Sequence, residues 1–208
     1  MLARPIPSSG TPLPVIGCGT WRGFDVGAGV ADRARLRAVL QALFDAGGTV
    51  IDSSPMYGAA EGVVGDLLAD MVAHDKAFAA TKVWTSGEAA GIAQMRRSLG
   101  LLRRQRLELM QIHNLVDWRT QLATLRAWKA EGLIRYLGIT HYTASAHDAL
   151  EEVMREEALD FVQLNYSLDD RAAEKRLLPL AAERGIAVLV NRPLGGGLTR
   201  AVRSRPLP

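Results

Sequence analysis

Four residues in this chain have side chains suited to moving a proton, and each closes or follows an apolar run. Asp52 ends the run Thr49-Val50-Ile51, and Tyr57 follows in a short loop rich in Ser and Pro. Lys82 lies near the end of "FAATKVW", and His113 ends "LELMQIH". A free phenol titrates near pH 10 and is a weak acid at neutrality. An ammonium beside it would favour phenolate and lower that pKa, and Lys82 is the candidate. A buried Lys needs a counter-charge, and Asp52 is the candidate partner. His113 can donate a hydrogen bond to a carbonyl oxygen and orient it. Together the four describe an acid poised to protonate a carbonyl oxygen. They carry no hydride, which a nicotinamide cofactor would supply. A Schiff base on Lys82 is the competing chemistry for these residues, and a regulatory module of the same fold that binds the cofactor without turnover, or an inactive truncated reductase, is the competing role. Taken singly, each of the four reads as a structural residue; their joint placement makes the case.

The elements that must hold them repeat along the chain. "DAGGTVID", "KAEGLIRYLGIT" and "ERGIAVLV" each show a helix end, a Gly and an apolar strand, the Gly suiting a left-handed helix end. With "PVIGCGTW", "FAATKVW", "LELMQIH" and "DFVQLNYS" this predicts seven strands. Helical spacing joins Leu36, Val39, Leu40 and Leu43, and nearly so Ile92, Met95, Leu99 and Leu102. Leu150, Val153 and Met154 mark a further helix, with Thr143 as its expected N-cap. Trp118 and Trp128 fall on one helix as packing residues, and His74 and His147 are expected to be solvated.

Strands of near-continuous apolar residues imply a parallel sheet covered on both faces. An open doubly wound sheet and a (β/α)8 barrel both satisfy this. Asp52, Lys82, His113, Thr140, Gln163 and Asn191 each sit at the C-terminal end of a different strand. Those ends converge only in a barrel, so an α/β fold of the (β/α)8 TIM-barrel type is expected. Residues 1–15 are expected to form a hairpin capping its other end, and residues 16–208 the barrel itself.

Composition narrows the functional classes. With 208 residues, 48% of them hydrophobic, the chain can bury a sizeable core. Cys18 is the one cysteine, which excludes a disulfide framework and a thiolate metal site within one chain. No apolar run of membrane-spanning length occurs, and the N-terminal segment has no secretory pattern, so a cytoplasmic protein is expected. The net charge of +3 gathers in Arg103–Arg106 and in Arg200, Arg203 and Arg205. Without interleaved aromatics this is not a nucleic-acid stripe. The first pair is expected to close a helix, where cations favour its negative end. Neither nucleic acid nor membrane is an expected partner; a small-molecule carbonyl substrate is. The sequence leaves the oligomeric state open.

The segments "GCGTW", "IDSSPMYG", "TKVW", "QIHN", "LGITHYT", "VQLNYS" and "NRPLGG", in this order and spacing, resemble the aldo/keto reductase family of NADPH-dependent barrel enzymes. The resemblance covers nearly the whole chain. It implies Tyr57 as general acid in carbonyl reduction, Lys82 and Asp52 as tuners of its pKa, and His113 as the group that orients substrate. Gly19, Thr20 and Trp21 match the segment beside the nicotinamide, and Asp52 belongs to that set too. Thr140 and Gln163 match residues that hold its carboxamide. His141 stands where the family commonly has Asn. Asn191, Arg192, Pro193 and Leu194 stand where it often has Tyr-Ser-Pro-Leu; Asn191 does not stack as the Tyr does, and Arg192 substitutes in part through its planar guanidinium. Gly195, Gly196 and Gly197 offer backbone amides to the pyrophosphate. Trp21 and Trp84 are expected to line the substrate pocket. NADPH is the expected cofactor, with NADH left open, because the segment that reads the 2′-phosphate has no counterpart here. A barrel typically takes about 250 residues, so an incomplete barrel lacking its eighth strand is expected.

Overall fold

The computed structural model describes residues 1–195. The chain opens with an antiparallel hairpin, β1 (Ala3–Pro5) and β2 (Pro12–Pro14). It is closed by a turn in which the Ile6 amide donates to the Thr11 carbonyl. Seven strands then alternate with helices: β3 (Cys18–Gly19), α1 (Val30–Asp45), β4 (Val50–Asp52), α2 (Ala60–Asp70), β5 (Phe78–Val83), α3 (Glu88–Leu101), β6 (Leu107–His113), α4 (Trp118–Ala130), β7 (Ile134–Thr140), α5 (His147–Glu156), β8 (Phe161–Asn165), α6 (Leu177–Arg184) and β9 (Ala187–Asn191). The sheet order is β3-β4-β5-β6-β7-β8-β9, and every pairing is parallel.

The sheet is curled, not flat. The loop after β9 returns to the loop after β3: the Arg192 guanidinium lies 5.3 Å from the Trp21 ring centre. Strand ends from both edges therefore open onto one mouth, as in a barrel. This is an α/β fold of the (β/α)8 type, with seven strands of the curled sheet among the described residues.

Alternation along the strands explains why the mouth is polar and the floor is not. In a strand, residues i and i+2 face one side. Phe78, Leu109, Tyr136 and Phe161 lie low in the inward rows, and Lys82, His113, Thr140 and Gln163 lie higher in the same rows. The lower layer forms its own apolar cluster of Ile6, Ala80, Leu109, Tyr136 and Phe161. Ile6 comes from the hairpin turn, and Ser9 of the same turn hydrogen-bonds the Tyr136 hydroxyl at 2.7 Å. Gly138 makes this layer possible: a Cβ there would sit 2.7 Å from the Phe161 carbonyl oxygen. The outward rows (Ile51, Val83, Met110, Ile112, Ile139, Val162 and Leu164) meet the helices in the main core.

Three local expectations are corrected. Val39 is 43% exposed, because Leu36 and Leu40 alone carry the buried stripe of α1. Thr143 does not cap α5: it precedes a short 3-10 turn, and its hydroxyl contacts Ser145 and His141 instead. His147 is buried, not solvated, with Nε2 3.1 Å from Asn165 Oδ1. It lies on the same helical face as Leu150 and Met154. Arg103 and Arg104 do follow α3. The Arg104 guanidinium is tied to Glu108 and to the Ala77 and His74 carbonyls, which makes it a structural staple. Trp128 is buried in the main core. Among the described residues no helix is long and apolar enough to cross a membrane.

Candidate active site

Asp52 and Lys82 form the centre of the mouth. Lys82 reaches from β5 across the interior, and Nζ donates to Asp52 Oδ1 at 2.8 Å and to Oδ2 at 2.9 Å. It also donates to the Ser53 carbonyl at 2.6 Å. With Lys82 only 1% exposed, this pair is buried, and it is tolerable because every ammonium proton has an acceptor. The carboxylate collects two more donors, Gln163 Nε2 at 3.0 Å and Gln111 Nε2 at 3.5 Å.

Tyr57 stands over this pair. The turn after β4 lifts it there, its amide bonding the Ser54 carbonyl at 3.0 Å. The ring centre lies 5.3 Å from Lys82 Nζ and 6.3 Å from the His113 ring, which it meets edge-on. Burial and then the Asp52 carboxylate push the phenol pKa up, and Arg192 opposes them. This corrects the expectation that Lys82 would lower it. The ammonium is neutralised at contact by Asp52, so little net positive charge reaches the phenol. Among the described residues, Arg192 is the cation without an ion-pair partner that lowers the Tyr57 pKa.

His113 is nearly buried, and its Nδ1 has no partner among the described residues. Burial first, then Lys82 and His141, push its pKa down to about 3. The imidazole is therefore neutral at ordinary pH.

Asp52, Tyr57 and His113 line a cavity of about 540 Å³ together with Gly19, Thr20, Trp21, Trp84, Gln163, Asn191 and Arg192; Lys82 lies beneath it, reaching it only through Asp52. Thr20 is fixed by its hydroxyl, which donates to Ser53 Oγ at 3.0 Å. Trp21 and Trp84 are half exposed at the rim, and Arg192 also lies 5.7 Å from the Tyr142 ring centre. Thr140 is buried at the end of β7 without lining the cavity. His141 is turned to its own loop, where Nδ1 accepts the amides of Tyr142 at 3.1 Å and Thr143 at 3.3 Å. Leu194 is exposed beyond the mouth, and Gly195 closes a turn onto the Arg192 carbonyl. Gly196 and Gly197 lie outside the described residues.

Met56, Gln111, Asn114 and Tyr142 belong to the site and were not among the expected residues. Gln111 carried a signal: it precedes His113 by two positions on β6 and so shares its inward face. Asn114 adopts a left-handed backbone, φ 53°, a conformation that Asn tolerates better than most residues.

The sequence profile of the aldo/keto reductase family matches residues 15–207. A methylglyoxal reductase of Escherichia coli, YeaE, is 29% identical over 193 residues, which cover 90% of this chain and 66% of the relative. A crystal structure of an aldo-keto reductase from Klebsiella pneumoniae in complex with NADPH superposes with a TM-score of 0.79 at 26% identity, covering 99% of this chain and 74% of that one. A glycerol dehydrogenase from Gluconobacter oxydans gives a TM-score of 0.75 at 28% identity, covering 99% and 68%. The chain spans less than two thirds of the length of the curated relatives it matches. On the profile match and the barrel that carries it, the chain belongs to the aldo/keto reductase family.

Proposed function

We propose that this chain reduces the carbonyl group of a small aldehyde or ketone, with a reduced nicotinamide cofactor and with Tyr57 as proton donor. The observation that carries the reading is the convergence of Tyr57, His113 and Asp52 on one cavity, with Lys82 held against Asp52 beneath it. The cofactor is NADPH, with NADH as the alternative; the Klebsiella pneumoniae relative was crystallised with NADPH. In this reading residues 1–15 cap the barrel of residues 16–208, and the protein works in the cytoplasm.

The mouth fits a nicotinamide. Among the described residues Gln163 Oε1 and Asn114 Oδ1 are buried acceptors without partners, and a carboxamide NH₂ suits them. Gly19, Thr20 and Trp21 flank that position on one side, and Asn191 and Arg192 on the other. Thr140, buried at the end of β7, and His141 in the loop that follows do not line the cavity and would bear on the carboxamide only through a shift of that loop. Leu194 and Gly195 continue the chain towards the phosphates. Bound there, the cofactor supplies the hydride.

The side chains supply the rest. With its pKa raised, Tyr57 keeps its proton until a substrate oxygen takes it. Negative charge developing on that oxygen makes the transfer favourable, and the Lys82–Asp52 pair and Arg192 then face the phenolate. Neutral His113 orients the carbonyl by a hydrogen bond. Trp21, Trp84, Met56 and Tyr142 give the pocket an exposed apolar rim against which a small carbonyl compound can pack. Lys82 has all three protons engaged, which argues against a Schiff base.

Methylglyoxal, the substrate in YeaE's name, is the first probe. NADPH consumption that depends on methylglyoxal or on a panel of small aldehydes supports the reading. No turnover with either nicotinamide cofactor would overturn it.

A further inference from the structure

One buried acid has no part in the reaction proposed above. Glu61 lies in the first turn of α2 and is 2% exposed. Its Oε1 accepts the Thr81 hydroxyl at 2.5 Å, and its Oε2 accepts the Ser98 hydroxyl at 3.1 Å. Burial raises its pKa, against the two hydroxyls, Lys82 and Arg97. A carboxyl in such surroundings is costly unless hydrogen-bonded, and both of its oxygens are.

The partners are what give this arrangement meaning. Thr81 is the strand neighbour of Lys82, and strand neighbours point to opposite faces. Lys82 faces the interior, where it meets Asp52; Thr81 faces the helix layer, where it meets Glu61. Glu61 in turn follows Tyr57 by four residues, across the start of α2. One carboxyl thus ties the segment bearing Tyr57 to the back of the strand bearing Lys82. Ser98, on α3, holds the same carboxyl by its other oxygen, from the helix layer.

We propose that Glu61 is a positioning residue that acts through Thr81 to fix Tyr57 relative to the Lys82–Asp52 pair. The inference rests on the reading of Tyr57 as proton donor. It separates two contacts that a purely structural role would treat alike: losing the Thr81 bond disturbs the site, and losing the Ser98 bond does not.

The test compares Thr81→Val with Ser98→Ala, each removing one hydroxyl from Glu61, and adds Glu61→Gln as the conservative variant. Thr81→Val is expected to lower kcat about tenfold, the scale of a sub-ångström misplacement, with KM for the carbonyl changed less than about twofold. Ser98→Ala is expected to keep kcat, and Glu61→Gln to retain more activity than Glu61→Ala. A second readout needs no turnover. With the chain's four tyrosines replaced by fluorotyrosine, the ¹⁹F resonance of Tyr57 is assigned by its loss in Tyr57→Phe. It should shift in Thr81→Val and hold in Ser98→Ala. A Tyr57 resonance unmoved by Thr81→Val, or moved equally by Ser98→Ala, overturns the proposal. An inactive wild-type chain would instead sink the reductase reading and leave the resonance to decide the positioning role.

Discussion

Lys82 Nζ lies within 2.9 Å of both carboxylate oxygens of Asp52, so the two charges at the centre of the mouth are spent on each other. The pair is nonetheless the fixed point of the site. It sets the floor under Tyr57, gathers Gln163 and Gln111, and links β4 to β5 at their C-terminal ends.

Removing one partner should therefore cost more than removing both. Asp52→Asn strands a buried ammonium and is expected to lower unfolding free energy by about 3–5 kcal/mol. Asp52→Asn combined with Lys82→Met should recover a good part of that loss. Urea unfolding of the wild type, Asp52→Asn, Lys82→Met and the double variant checks this. Equal and additive losses would mean that the pair is not coupled.

His113 gives stability a pH dependence whose sign follows from its burial. Its pKa is about 3 in the folded chain, against 6.5 when unperturbed. Below pH 6.5 the unfolded chain binds a proton that the folded chain refuses, so stability falls as pH drops from 6.5 towards 3. The slope is at most about 1.4 kcal/mol per pH unit for one group. His113→Gln should lose less stability than wild type between pH 7 and pH 4, as read by denaturant titration at each pH.

Gly138→Ala tests the floor of the barrel. The new Cβ would press on the Phe161 carbonyl oxygen at 2.7 Å, a backbone atom that cannot swing aside. A loss of about 1–3 kcal/mol is expected, measured by thermal unfolding. An unchanged midpoint would show that β7 and β8 part easily there.

Much of this was legible before any coordinates. Asp52, Lys82, His113, Thr140, Gln163 and Asn191 each stand at the C-terminal end of a different apolar run, and that placement put them at one end of the barrel. Other features depend on what lies opposite, and the sequence does not encode that locally. Whether Lys82 or Arg192 is the cation that Tyr57 feels depends on which of them Asp52 neutralises. Thr143 was a sound cap by type, but its hydroxyl had nearer partners in His141 and Ser145. His147 was readable after all: its spacing of three and seven residues to Leu150 and Met154 marks the buried face. Gln111 is not the last polar residue of its strand, and its place in the site follows from the inward row it shares with His113 two positions later.

The central claim is that Tyr57 gives up the proton. The most direct test compares NADPH-dependent methylglyoxal reduction by the wild-type chain and Tyr57→Phe, with NADPH binding measured separately by its shift of the thermal midpoint. The account predicts a loss of about 10²–10⁴-fold in kcat with the NADPH-induced shift preserved. Tyr57→Phe turning over at the wild-type rate would contradict it.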